Sequence, residues 1–87
     1  MRTVVHFTGQ VPANSTRRWF APRFPQDWRV IWNIVPTAPV QDTAPQLEAR
    51  VMTERQAADF VKYWIEVQNL SAAAVNFEGR YTVLNIN

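Results

Sequence analysis

Apolar and polar residues alternate with a period of two along most of this chain, and that period predicts strands. Val5, Phe7, Gly9 and Val11 take alternate positions and predict a first strand. Trp28, Val30, Trp32 and Ile34 alternate with Arg29, Ile31, Asn33 and Val35, so both faces of that strand are expected to be at least partly covered. Leu47, Ala49, Val51 and Thr53 alternate with Glu48, Arg50, Met52 and Glu54, the mark of a half-buried strand. Val75, Phe77, Tyr81 and Val83 alternate with Asn76, Glu78, Arg80 and Thr82. Gly79 interrupts that inward row, as at a bulge or where another backbone comes close.

Residues 54–68 support two different elements. Thr53-Glu-Arg-Gln56 matches a helix capping box, and Ala57, Phe60, Val61, Trp64 and Ile65 fall at helical spacing. The same stretch is rich in strong strand formers, with Val61, Tyr63, Ile65 and Val67 alternating against Lys62, Trp64 and Glu66. Strand is favoured. Residues 46–55, 60–68 and 74–86 then form a meander. With the N-terminal strands the fold class is all-β, a small antiparallel β-sandwich or barrel of about six strands. The alternative is α+β, with a helix at about 54–68 packed on a sheet.

The prolines number six, all between Pro12 and Pro45, so the front half is expected to be punctuated by turns and the back half uninterrupted. Residues 36–45 read as an extended loop. Asn69-Leu-Ser71 reads as a turn before the last strand, with the Asn69 side chain bonding to backbone. It and Asn14-Ser-Thr16 are glycosylation acceptor triplets, but both are read here as turns.

Composition narrows the class. A chain of 87 residues has room for one β-rich domain, and 47% apolar with 13% aromatic residues sets it apart from disordered sequences. There is no cysteine, so disulfides and thiolate metal sites are excluded. No apolar run approaches the ~20 residues that span a bilayer. The first residues lack the apolar core of a signal peptide, so a soluble protein without membrane insertion is expected, with a cytoplasmic one favoured over a secreted one that leans on packing or oligomerisation.

The net charge of +2 is unevenly placed. Residues 1–30 carry Arg2, Arg17, Arg18, Arg23 and Arg29 against Asp27, a net of +4. The remainder carries Arg50, Arg55, Lys62 and Arg80 against Asp42, Glu48, Glu54, Asp59, Glu66 and Glu78, a net of −2.

Catalytic chemistry finds little to work with. His6 is the single histidine, so a Ser-His-Asp triad or multi-His metal site would need several chains, and the residue reads as part of a strand near an exposed terminus. Glu48, Glu54, Glu66 and Glu78 lie on the non-core faces of their strands, alternating with Arg50, Lys62 and Arg80, a pattern suited to cross-strand ion pairs. Two glycines cannot build a phosphate cradle. No enzyme activity, cofactor or metal is expected.

Two features point to binding. The segment Arg17-Arg18-Trp19-Phe20, continued by Arg23-Phe24, Trp28-Arg29 and Trp32, interleaves guanidinium groups with rings. Single-stranded nucleic-acid grooves use that composition, and so do protein interfaces. The modest net charge weighs against nucleic acid. Its plainer reading is core for Trp28 and Trp32, with arginines stacked over rings. Trp64, on the strand reading, is expected to share a face with Lys62, Glu66, Arg50, Met52, Glu78 and Arg80. A Trp amid charges suits a sugar-stacking platform or an interface anchor, unless neighbouring stems cover it.

Four Trp, five Phe and two Tyr are more than so short a chain readily hides. The sequence thus favours a non-catalytic binding or assembly module, a homo-oligomer that self-associates through an Arg/Trp-rich surface. A carbohydrate-binding domain built on Trp64, Glu66, Arg50 and Arg80 is the second reading. Single-stranded nucleic-acid binding through Arg17, Arg18, Trp19 and Arg29 is the weakest.

Overall fold

The computed structural model describes residues 1–86 and consists of β1 (Arg2–Val11), β2 (Thr16–Pro25), β3 (Val30–Ala38), β4 (Leu47–Ala57), β5 (Phe60–Asn69) and β6 (Val75–Val83). They form two three-stranded sheets, ordered β1-β6-β3 and β2-β5-β4, with every pairing antiparallel. The all-β sandwich is as the alternation predicts. Among the described residues there is no helix, and so none long and apolar enough to cross a membrane.

The ambiguous segment is strand throughout. β4 runs through Thr53–Gln56 to Ala57, turns at Ala58-Asp59 and returns as β5, with Ala57 paired to Phe60. Aromatic and β-branched residues lose χ1 freedom in a helix. As the central strand, β5 instead buries Ile65 and Val67 completely.

The meander expected over 46–86 does not form. β4 and β5 make a hairpin, but β6 crosses to the other sheet and lies between β1 and β3. Alternation assigns the faces of a strand and leaves its neighbours open. The segment 16–25, read in the sequence only as an Arg-aromatic run, is a full strand despite Pro22 and Pro25. Proline is tolerated because β2 lies at a sheet edge, and Pro22 sits where the register shifts between Ala21 and Phe24. Trp28 lies outside β3, in a turn closed by its N–H donating to the Pro25 carbonyl at 3.1 Å.

Two coverage expectations also change. The second face of β3 is open, with Ile31 54% exposed. On β4, Ala49, Val51 and Thr53 share the inward face with Leu47 yet remain exposed, so this edge overhangs the facing sheet. β4 is less covered than its alternation suggests.

The core lies between the sheets. Val11, Ala21, Phe24, Ile65, Val67 and Phe77 are buried together. Phe7 stacks on Trp19 at 5.5 Å, and Phe77 meets Trp19 edge-on at 4.9 Å. Opposite Gly79 the register of β1 shifts around His6, and the Phe7 ring fills the space above the glycine. The close approach inferred at Gly79 is therefore made by an aromatic ring, with the bulge on the neighbouring strand.

At one end of the sandwich Asn69, 1% exposed, ties three segments. Its Nδ2 donates to the carbonyls of Val11 (3.0 Å) and Ala73 (2.8 Å), and its Oδ1 accepts from Ser71 N–H (2.8 Å) and Oγ (2.7 Å). Asn69 is the predicted side-chain cap, although the turn it caps crosses between sheets.

Candidate functional site

The outer faces of the two sheets differ in chemistry. On the β1-β6-β3 sheet, polar side chains pair across strands, Thr3 with Thr82 at 2.9 Å and Gln10 with Asn76 at 3.1 Å, while Arg80 pairs with Glu78 at 2.8 Å along β6. The exposed Val5 and Ile31 stand apart on its two edge strands, with Arg80 and Thr82 of β6 between them. That is an ordinary solvated sheet surface.

On the β2-β5-β4 sheet, register sets Phe20 opposite Trp64 and Trp64 opposite Met52, forming an apolar belt perpendicular to the strands. Strand alternation carries these residues outward because Trp19, Ala21, Tyr63, Ile65, Val51 and Thr53 take the opposite face. The Phe20 and Trp64 rings lie 5.5 Å apart, and Phe20 is 55% exposed. Lys62 Nζ reaches to 5.4 Å from both ring centroids. The indole Nε1 of Trp64 donates to Glu54 Oε1 at 2.8 Å, which fixes the ring across the β4–β5 pair.

Charged rows flank the belt. On one side Arg18, Glu66 and Arg50 stand in register, with Arg18 Nη2 3.0 Å from Glu66 Oε2. Arg50 forms no ion pair among the described residues. On the other side Lys62 stands opposite Glu54. A shallow depression of about 160 Å³, lined by Glu48, Ala49, Arg50, Glu66 and Gln68, opens beside the belt. Pockets that enclose small molecules run to roughly 300–1,000 Å³, so this face suits surface contact better than engulfment. Among the described residues no group of three or more His, Cys, Asp and Glu could hold a metal ion.

The residues predicted from sequence divide. Trp64, Arg50, Glu66 and Arg18 come together on this face. Arg80, together with Glu78, lies on the outer face of the other sheet, because β6 pairs with β1 and β3. Trp19 points into the core against Phe7 and Phe77. Arg17 shares the inward parity of Trp19 and donates from Nη1 to the Gln10 carbonyl at 3.2 Å, bridging the sheets. Arg29 sits in the turn before β3, its N–H donating to Asn85 Oδ1 at 3.0 Å. The Arg-aromatic segment therefore scatters over a core, two faces and a turn, and it forms no common groove.

Sequence reasoning missed Phe20. Its signal was the alternation of Arg18 and Phe20 against Trp19 and Ala21, which the prolines of β2 obscured. It also took His6 for a plain strand residue. At the β1 bulge its ring meets Trp32 at 5.8 Å, Tyr81 at 5.7 Å and Phe24 at 6.1 Å. Beneath it the Trp32 indole N–H is buried with no hydrogen-bond partner among the described residues.

Comparison with protein-family models, curated proteins and solved structures finds no match for this chain.

Proposed function

We propose that the protein is a non-catalytic binding and assembly module that associates with copies of itself and presents the outer face of the β2-β5-β4 sheet to a partner. The observation that carries this reading is the Phe20–Trp64–Met52 belt, continuous across three strands and held between charged rows on one outer face. On the other outer face the exposed Val5 and Ile31 are separated by the polar row of β6. Clustered exposed apolar groups with a polar rim are the pattern of contact surfaces, and Trp and Arg are their favoured anchors. Light scattering over a wide concentration range tests the assembly. The expected result is a mass above the 10.1 kDa of one chain that persists on dilution. A monomer at every concentration removes the assembly half of the proposal.

A carbohydrate partner is a second reading, favoured by one observation. The depression lined by Arg50 and Glu66 lies next to the Trp64 ring, so hydrogen-bonding groups adjoin a stacking surface. A glycan array probed with the wild-type chain and with Trp64→Ala decides it. Binding lost in the variant supports this reading, and no binding, or equal binding by both, removes it.

A further inference from the structure

Four strands of the sandwich lie at sheet edges, and three of them are interrupted or occupied. The register of β1 shifts at His6, and its Gln10 carbonyl accepts a bond from Arg17. β2 is broken at Pro22-Arg23, where Arg23 has φ 62, and ends on Pro25. β3 contains Pro36 with a register shift beside it. Such devices keep an edge from pairing with another chain. β4 carries none of them over Leu47–Arg55, since its one irregularity falls between Arg55 and Ala57 and no proline interrupts it. Its inward-facing Val51 is also left 43% exposed.

We propose that two copies of this chain join along β4, antiparallel, in the register that sets Met52 opposite the partner's Met52. This rests on the assembly reading above and specifies the contact. A two-fold axis normal to the sheet pairs residues of like face, so candidate registers differ by steps of two residues in the pairing. Centring on Arg50 sets that arginine against itself. Centring on Val51 sets Glu48 against the partner's Glu54. Centring on Thr53 sets Arg50 against the partner's Gln56 and leaves Met52 against the partner's Glu54. Centring on Ala49 sets Arg50 against the partner's Glu48 but pairs only Leu47–Val51 of the strand. Centring on Met52 sets Arg50 against the partner's Glu54, twice by symmetry, spans Leu47–Ala57 and places Val51 against the partner's Thr53. Opposite charges directly across strands stabilise pairing, and like charges oppose it.

That register also extends the pattern already on the face. The row Arg18–Glu66–Arg50 continues into the partner's Glu54 and the partner's Lys62, with the sign alternating at every step. The belt Phe20–Trp64–Met52 continues into the partner's Met52, the partner's Trp64 and the partner's Phe20. The unpaired Arg50 gains an acid, and two half-belts become one surface across a six-stranded sheet.

The test uses charge exchange in the full chain, read by sedimentation. Arg50→Glu and Glu54→Arg each place two like-charged pairs across the axis, and each is expected to weaken self-association by about tenfold or more. An equimolar mixture of the two variants sets every acid against a base, so a mixed dimer of near wild-type affinity is expected. Glu48→Arg, which faces no charge in this register, is the control and is expected to leave the mass unchanged. Met52→Cys gives the otherwise cysteine-free chain one thiol, opposite itself. Antiparallel Cα pairs lie about 4.5–5.5 Å apart, within disulfide or short bis-maleimide reach. Covalent dimer is expected at position 52 and not in Glu48→Cys. A wild-type dimer that tolerates both charge changes and does not cross-link at 52 overturns this register while leaving assembly standing. A wild-type chain that stays monomeric to about 1 mM, where association is worth only about 4 kcal/mol, overturns both.

Discussion

The ring of Phe7 rests directly over Gly79 on the neighbouring strand, so closely that a Cβ at Gly79 would overlap its Cε1 and Cζ. Gly79 has no positive φ, so its small size is what the site uses. The same ring stacks on Trp19 and meets Phe77 edge-on, which leaves it little room to move.

Gly79→Ala is therefore expected to destabilise the fold by about 1–3 kcal/mol, the range for overpacking a tight core. Urea denaturation followed by Trp fluorescence checks this. Adding Phe7→Leu should cost less in the Gly79→Ala background than in the wild type. Additive losses would show that the two residues do not share this space.

Asn69 makes four hydrogen bonds from a side chain that is 1% exposed, and these link β1, β5 and the turn before β6. Asn69→Leu takes the side-chain donor from the Val11 carbonyl and the acceptor from Ser71 N–H, while the Ala73 carbonyl keeps Ser71 Oγ at 3.0 Å. A loss of about 2–4 kcal/mol is expected, and unfolding midpoints below those of surface controls would show it. A near-neutral result would mean that water replaces the side chain.

Burial holds the Tyr63 phenol above its ordinary pKa of 10.0. Below about pH 10 folded and unfolded chains both carry this proton, and above it the unfolded chain gives it up first. The folded state's preference for the neutral phenol thus costs stability as pH rises past the unfolded value. Denaturation midpoints are expected to fall between about pH 9.5 and 11, and less steeply in Tyr63→Phe. Equal slopes would assign the loss to other groups.

The Arg18–Glu66 pair spans β2 and β5 with Arg18 58% exposed at its side chain. Exposed pairs of this kind couple by about 0.2–1 kcal/mol. A double-mutant cycle with Arg18→Ala and Glu66→Ala is expected to fall in that range and to shrink in 1 M salt, where the Debye length drops to about 3 Å. A coupling indifferent to salt would point to packing of the Arg18 stem instead.

Half of the candidate site was legible. Trp64, Glu66 and Arg50 could be set on one face because they belong to one hairpin, where a short turn makes sequence neighbours into strand partners. Phe20 and Arg18 reach the same face from 44 and 48 positions away, opposite Trp64 and Glu66 in the β2–β5 ladder. Arg80 looked equivalent to Arg50 by alternation alone, and a single inter-sheet crossing put it on the far side of the molecule.

By itself the sequence determined the class of this protein and, for β3 to β6, which side chains of each strand share a face. In β1 the shift at His6 turns Val5 to the face opposite Phe7, and β2 was not legible as a strand. Period-two alternation and the excess of β-branched and aromatic residues are properties of neighbouring positions, and they required no partner to be read. Only the tertiary structure decided which strands lie side by side. It sent β6 into the first sheet, kept β2 a strand through its prolines by placing it at an edge, and left β4 overhanging. The physical reason is that a pleated strand offers equivalent hydrogen-bonding edges to any neighbour of matching register. The choice among neighbours rests on how Phe7, Trp19, Phe24, Trp32, Tyr63 and Phe77 fill the space between two sheets, a condition that no short stretch of sequence contains.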